Sequence, residues 1–229
     1  MDTEKIKRKI IGWGANLVGF GDLKDYVPES LGDLKNAISI AVRLSNTIIS
    51  EIIHGPTREY AYHYHVVNSL LDEIALKTTN LLQSMGYKAF PIPVSQTIDR
   101  NELKAIIPHK TAATRAGLGW IGKNALLVTP EFGPRIRLVT VLTDYPFKLN
   151  PPWNESQCGE CNKCVEICPS KAIKGSNWQI GLRRDELIDV FSCSKLIEEN
   201  KKTFNSPVCG QCIAICPVGL KIRKINKRH

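Results

Sequence analysis

Cys158, Cys161, Cys164 and Cys168 stand in the spacing C-x2-C-x2-C-x3-C, with Pro169 directly behind the last. Thiolates so spaced hold iron-sulfur clusters, and in bacterial two-cluster ferredoxins the fourth ligates the other cluster. A second run must therefore exist. It is "CGQCIAICP", with Cys209, Cys212 and Cys216, one cysteine short of a duplicate, and the one cysteine left in the chain is Cys193. The assignment that uses each thiol once gives Cys158, Cys161, Cys164 and Cys216 to one [4Fe-4S] cluster and Cys168, Cys193, Cys209 and Cys212 to the other. Paired zinc ribbons compete with this reading, but zinc has no need of the two Cys-Pro endings or the three-cysteine run. Eight cysteines would mean disulfides in a secreted chain, whereas close C-x2-C spacing in a reducing compartment means metal. Two clusters close together make a one-electron relay.

A second segment with chemical character is "AGLGWIGKN", Ala116 to Asn124. It matches G-x-G-x-x-G, yet a dinucleotide site needs a strand before the glycines and a helix after, and here the order reads helix, turn, strand. The P-loop pattern fails on the same order, and Asn124 replaces the magnesium-binding hydroxyl. Three glycines beside Trp120, Lys123 and Asn124 then point to close backbone approach to a large ligand.

The elements that must position these groups alternate. "NLVGFGDL" (Asn16 to Leu23) and "AISIAVRL" (Ala37 to Leu44) read as strands, and a helix runs from about Glu59 to a stop at Gly86. "AFPIPVS" is extended by its prolines, "HKTAATRAG" favours helix, and "ALLVTP" and "RIRLVTVLTD" are further strands. The pattern implies an α/β (α+β) layer domain. Prolines in "YPFKLNPPWNESQ" mark a boundary, with residues 1–150 before it and the cysteine-bearing residues 151–229 behind it.

The 229 residues suit one domain and a small module, and the formal charge of +9 falls to roughly +5 with two clusters bound. Part of that charge lies in the tail "KIRKINKRH", a candidate contact for phosphates or an acidic partner. The opening "MDTEKIKRKI" has no apolar run of a secretory signal, and no stretch reaches a membrane span, so the expectation is a cytoplasmic protein with no membrane partner.

The stretch "RAGLGWIGKNALLVTPEFGPRIRLVTVLTD", followed by eight cysteines with a detached Cys193, resembles the epoxyqueuosine reductases and their relatives the reductive dehalogenases. The resemblance implies a cobalamin-binding-like α/β domain in which a base-off corrinoid lies beside two [4Fe-4S] clusters that reduce it. It implies a corrinoid cradle in Ala116, Gly117, Leu118, Gly119, Trp120, Ile121, Gly122, Lys123 and Asn124, and a cofactor-side pair in Tyr64 and His65. The chain has no D-x-H-x-x-G loop to supply a lower cobalt ligand, in keeping with a base-off cofactor. It departs from the family where "RNELKAIIPHKTAAT" replaces the Asp-Ser-Ala-Pro stretch that carries the proposed proton donor, and where C-terminal helical repeats would follow the clusters. His109 and Lys110 occupy the region of that stretch, and His109 is a candidate acid by its near-neutral ordinary pKa, against a structural reading as a capping or hydrogen-bonded histidine.

The resulting expectation is a cobalamin-dependent iron-sulfur oxidoreductase with His109, Tyr64 or His65 as proton donor. A ferredoxin or flavodoxin would be its electron donor, a small molecule or modified nucleoside its substrate, and transfer RNA a further partner. The alternative is a non-catalytic electron-transfer protein, or a reductive activator of a partner's corrinoid. Trp153 and Trp178 are expected to keep water off the sulfurs.

Overall fold

The computed structural model describes residues 1–95, 103 and 105–220, so the basic tail lies outside the described residues. The charged opening stretch forms α1 (Thr3–Gly12), capped by Asp2, whose side chain accepts from the Lys5 amide at 2.8 Å. Its Ile6 and Ile10 are buried and its lysines face water, an amphipathic pattern. Then come β1 (Leu17–Asp22), β2 (Asn36–Arg43), α2 (Asn46–Glu51), α3 (Arg58–Ser84), β3 (Ala89–Ile92), α4 (His109–Arg115), β4 (Trp120–Ile121), β5 (Leu127–Val128) and β6 (Ile136–Thr143). The cysteine region adds α5 (Lys163–Ile167), α6 (Arg184–Leu187), α7 (Val190–Phe204) and α8 (Gln211–Ala214).

Four strands form one sheet in the order β1-β2-β6-β3, every pairing antiparallel, with Ile38 opposite Val141 and Ile40 opposite Val139. The mixed α/β character expected from the sequence holds. Its strands read as unbroken apolar runs because both faces are covered. One face sends Ile38, Ile40, Val139 and Val141 into the main core with α1 and α3, while the other sets Ala37 and Leu142 against Ala112, and Ala41 near Ala113, on α4. That second face is lined by small residues so that α4 can lie close. A methyl group at Gly19 would stand 2.1 Å from the Ala116 carbonyl oxygen, and one at Gly21 would stand 2.6 Å from the Arg115 carbonyl carbon. Two glycines on β1 thus fix where α4 ends and where the next segment starts.

The strand expected from Ala125 to Pro130 shortens to β5. Ala125 adopts φ 58° and its amide bonds the Gly122 carbonyl at 2.8 Å, so this end of the run is a turn, and β5 pairs back on β4. The proline-rich stretch after β6 is strapped to the sheet: Tyr145 and Phe147 are buried, Phe147 stacks on Phe20 at 4.5 Å, and the Trp153 amide bonds the Thr114 carbonyl at 3.0 Å. Among the described residues, no helix is long and apolar enough to cross a membrane.

Candidate functional site

All eight cysteines are free and half-buried. Cys164 sits on α5, Cys193 on α7 and Cys212 on α8, while Cys168 ends α5 in an extended conformation that turns it away from the helix. Their mutual electrostatics fall into two sets. Cys164 feels Cys158, Cys216 and Cys161, and Cys216 feels Cys158 and Cys161. Cys193 feels Cys168 and Cys209, and Cys212 feels Cys209, Cys193, Cys164 and Cys168, so the sets meet at the Cys164 and Cys212 thiols. Burial, reinforced by the neighbouring thiols, pushes Cys164 up to about 11 and Cys212 further. Thiols so placed release protons only to a strong Lewis acid. Among the described residues, no three His, Cys, Asp or Glu side chains form a group that could hold a single metal ion.

Close backbone contacts dock this module on the sheet domain. Gly210, in the "CGQC" turn, has φ 84°, and a methyl there would stand 2.4 Å from Ile52 Cδ1 and 3.0 Å from the Tyr60 ring. Gly133 meets the Val218 carbonyl, where a methyl would stand 2.1 Å from the oxygen. Arg135, only 2 % exposed, reaches across this junction: Nη1 donates to Val218 O at 2.8 Å, and Nη2 to Ala214 O at 3.1 Å and Cys216 O at 2.6 Å.

The segment Ala116 to Asn124 is the other junction. Ala116 ends α4, Gly117 turns the chain at φ 73°, Leu118 packs with Ala41, Ala113, Leu127 and Ile136, and Trp120 and Ile121 form β4. The glycines do permit close approach, but to the chain itself. A methyl at Gly119 would lie 2.1 Å from Val128 O, one at Gly117 would lie 2.8 Å from Pro151 O, and one at Gly122 would lie 2.7 Å from Val128 Cγ2 and 3.5 Å from Cys158 Sγ. Lys123 Nζ donates to Asn162 Oδ1 at 2.9 Å, and Asn124 accepts the Leu126 amide at 3.2 Å and donates to Cys212 O at 3.5 Å. On the Cβ side of these glycines β5, Asn150 to Pro151 and Cys158 stand close, while a cavity of about 230 Å³ is lined by Ala116, Gly117 and Leu118 together with Leu17, Val18 and Asn150. Trp120 Nε1 is buried without a hydrogen-bond partner, in the apolar cluster against which Cys158 and Trp153 pack and to which Trp178 belongs.

A cavity of about 270 Å³ opens between α4, β6 and α8, lined among others by His109, Lys110, Leu127, Arg137 and Ile213, the neighbour of Cys212. His109 is already engaged: Nε2 lies 3.1 Å from Pro93 O and must donate to it, so Nδ1 accepts from Thr140 Oγ1 at 2.9 Å. Burial holds its pKa below the ordinary value, and the ring is neutral at physiological pH. Tyr64 does not line the cavity but is bonded to Arg137, which does: Arg137 Nη2 donates to the Tyr64 hydroxyl at 3.0 Å while the guanidinium lies 4.2 Å over its ring. Burial alone would raise the Tyr64 phenol, but Arg137 and the hydrogen bonds of Ser95 and Asn68 outweigh it and hold the pKa below its usual value. His65 is exposed, edge-on to Tyr64 at 5.7 Å, and does not line the cavity. Sequence reasoning passed over Arg135 and Arg137, although two arginines in the otherwise apolar "RIRLVTV" were the available signal.

Lys110 Nζ donates to Ala125 O at 2.8 Å, and burial, with Arg184 acting in the same direction, pushes its ammonium down to about 8. Because the folded pKa is lowered, the cost of burying the charge is fully present below pH 8. It is relieved as pH rises toward the unfolded value near 10.5, where the unfolded chain binds more protons. Denaturant unfolding of the parent chain and Lys110→Met at pH 7 to 10 should show the parent gaining on the variant above about pH 8.

Sheet, helical layers and two docked sets of four thiols define the class: a mixed α/β protein carrying a double-cluster iron-sulfur module. Residues 157–219 match the family described as 4Fe-4S double cluster binding domain. The chain is similar to epoxyqueuosine reductases and reductive dehalogenases. It is 31 % identical to epoxyqueuosine reductase of Bacillus anthracis over 202 residues, 82 % of this chain and 49 % of the relative. It is 28 % identical to tetrachloroethene reductive dehalogenase of Desulfitobacterium hafniense over 194 residues, 77 % of this chain and 30 % of that one. It thus spans about half or less of the curated relatives it matches. Among solved structures, the catabolic reductive dehalogenase NpRdhA superposes with a TM-score of 0.74 at 21 % identity, over 94 % of this chain and 31 % of its own. Epoxyqueuosine reductase with an epoxyqueuosine-modified tRNA-Tyr stem loop superposes at 0.64 and 18 %, over 94 % and 64 %. At these identities the superpositions establish the shared fold.

Proposed function

We propose that the chain is an iron-sulfur reductase. Two [4Fe-4S] clusters, one on Cys158, Cys161, Cys164 and Cys216 and the other on Cys168, Cys193, Cys209 and Cys212, pass single electrons to an acceptor in the cavity beside Ile213. The observation that carries the reading is the division of the thiols into two sets that meet at Cys164 and Cys212, with the cavity wall beginning one residue beyond Cys212. The donor set fits a cluster: all thiols, no three forming a one-ion site, and an orphaned Trp120 N–H in the cluster of side chains around Cys158, where a cluster sulfur would accept from it. The match of residues 157–219 to the 4Fe-4S double cluster binding domain favours clusters over zinc.

A base-off corrinoid belongs to this proposal, at the cavity beside Ile213, because the backbone of other segments stands directly against Gly117, Gly119 and Gly122. The half-open cavity of about 270 Å³ takes a small ligand or one edge of a larger one, with Arg137 and Lys110 as donors and Leu127 and Ile213 as apolar walls. Cobalamin bound there would supply a low-valent cobalt as reductant. Arg137, on the cavity wall, bonds the Tyr64 hydroxyl and lowers its pKa, which suits Tyr64 to proton donation through Arg137's side of the wall better than His109, whose two nitrogens are occupied. A one-electron donor such as ferredoxin or flavodoxin fits the relay. A modified nucleoside, alone or in tRNA, is the substrate class suggested by the epoxyqueuosine reductase relatives.

Anaerobic reconstitution with iron and sulfide, metal counting and addition of hydroxocobalamin test the reading. About eight irons and a base-off visible spectrum support it. About eight irons with no corrinoid uptake and no turnover of an epoxyqueuosine-bearing stem loop leave the electron-transfer protein as the better account. In a chain that turns over, Tyr64→Phe should cut the rate by roughly 10² or more while cluster reduction is unchanged. His109→Ala should cost activity only in proportion to lost stability, and an equal loss in both variants would return the donor role to His109.

A further inference from the structure

The surroundings of the two thiol sets differ in charge. Against the set containing Cys158, Cys161, Cys164 and Cys216 lie two buried cations. Arg135, 2 % exposed, donates to Cys216 O at 2.6 Å, and Lys123, 4 % exposed, donates to Asn162 Oδ1 at 2.9 Å in the loop between Cys161 and Cys164. Among the described residues neither has a carboxylate partner, so neither charge is neutralised locally. The other set meets backbone amides and an anion but neither of these cations: the Ser170, Ala172 and Ile173 amides bond Cys168, whose sulfur lies 3.5 Å from the Ser170 hydroxyl, the Gln211 amide bonds Cys209, with Gln211 Oε1 at 3.7 Å, and the Asp189 carboxylate acts on Cys193. Lys174, which acts on Asp189, is solvent-exposed and correspondingly screened.

A thiolate-held [4Fe-4S] cluster becomes more negative by one charge on reduction, and its potential follows the charge and hydrogen bonds around it. A buried cation therefore favours the reduced form, and it does so more strongly than an exposed one because little water intervenes. We propose that Arg135 and Lys123 fix the reduction order, making the cluster on Cys158, Cys161, Cys164 and Cys216 the higher-potential member that takes the first electron. The inference rests on the clusters of the proposed function. The step from this cluster to the other, whose Cys212 precedes the cavity wall at Ile213, is then the uphill one on the way to the acceptor. Arg135 acts through its charge and through the Cys216 carbonyl it holds, and is a positioning residue.

Single-cluster chains separate the two centres. Cys168→Ala is expected to keep the first cluster and Cys216→Ala the second, each verified by iron and sulfide analysis, with stepwise dithionite reduction followed by electron paramagnetic resonance. In each step dithionite is oxidised and the cluster gains one electron. The Cys168→Ala chain should be reduced at the higher potential. Adding Arg135→Gln, which keeps donors and removes the charge, should move that potential down, whereas Arg135→Lys should leave it near the parent. The potential of the Cys216→Ala chain should not follow the charge at residue 135. Reversed or equal potentials overturn the inference, as does an equal shift in the Gln and Lys chains. A Gln chain that fails to take up iron while the Lys chain succeeds also overturns it, assigning the charge to assembly. If no chain, the parent included, takes up iron, it is the proposed function that fails.

Discussion

Cys168→Ala should leave about four irons per chain where the parent is expected to take up about eight, and a second substitution should show whose ligand Cys168 is. Cys168 lies three residues beyond Val165 in the first run, so counting along the sequence would put it with Cys158, Cys161 and Cys164. Its electrostatic neighbours are Cys193 and Cys212 instead. Cys168→Ala with Cys193→Ala should therefore lose no more iron than either alone, because both remove the same cluster. Cys168→Ala with Cys216→Ala should lose both clusters. The opposite pattern would return Cys168 to the first set and undo the crossed assignment. Loss of a bound cluster also removes its contribution to folding, since a group that binds only the folded chain stabilises it. The double variant without iron should show the lowest thermal midpoint of the series.

Gly119→Ala should lower the thermal midpoint by roughly 5–10 °C, the effect of about 2–3 kcal/mol in a chain of this size. The added methyl would stand 2.1 Å from Val128 O and 2.9 Å from Val128 C, and both are backbone atoms that cannot rotate aside. Relief requires β4 and β5 to part, which would disturb the hairpin that carries Lys123 toward Asn162 and Asn124 toward Cys212. Iron uptake should fall with stability, because the same hairpin docks the cysteine module. Gly12→Ala is the control: nothing lies within 4 Å of its added methyl, it closes α1, and the midpoint should hold or rise slightly. Equal midpoints for the two variants, measured by calorimetry, would mean that the hairpin contact contributes nothing.

Much of the architecture was legible in the sequence because it rests on local pattern. The runs at Leu17 to Asp22 and Asn36 to Arg43 have the apolar content of strands buried on both faces, and the periodicity after Glu59 has the spacing of one long helix. α1 was harder to see, since its lysines dominate the composition while only Ile6 and Ile10 mark the buried side. Thiol chemistry was legible for a similar reason: ligands within one loop must lie a few residues apart to face one centre, so C-x2-C spacing is a record of geometry.

The function of the glycine segment was not legible in that way. A glycine announces that something comes close but not what, and at Gly117, Gly119 and Gly122 the partners are Pro151, Val128 and Cys158, from other parts of the chain. The same holds for Arg135, Arg137 and Lys123. Their partners lie 79 to 83, 42 to 73 and 39 residues away, beyond the reach of local pattern. The sequence by itself determined the eight thiols, their two runs and the strand and helix material that carries them, because covalent spacing and periodic burial act over a few residues. Only the tertiary structure decided that the glycine hairpin is a junction, that Tyr64 is bonded to Arg137 on the cavity wall, and that the buried cations stand against one thiol set. Those outcomes depend on which distant backbones the sheet register and the docked loops bring into contact.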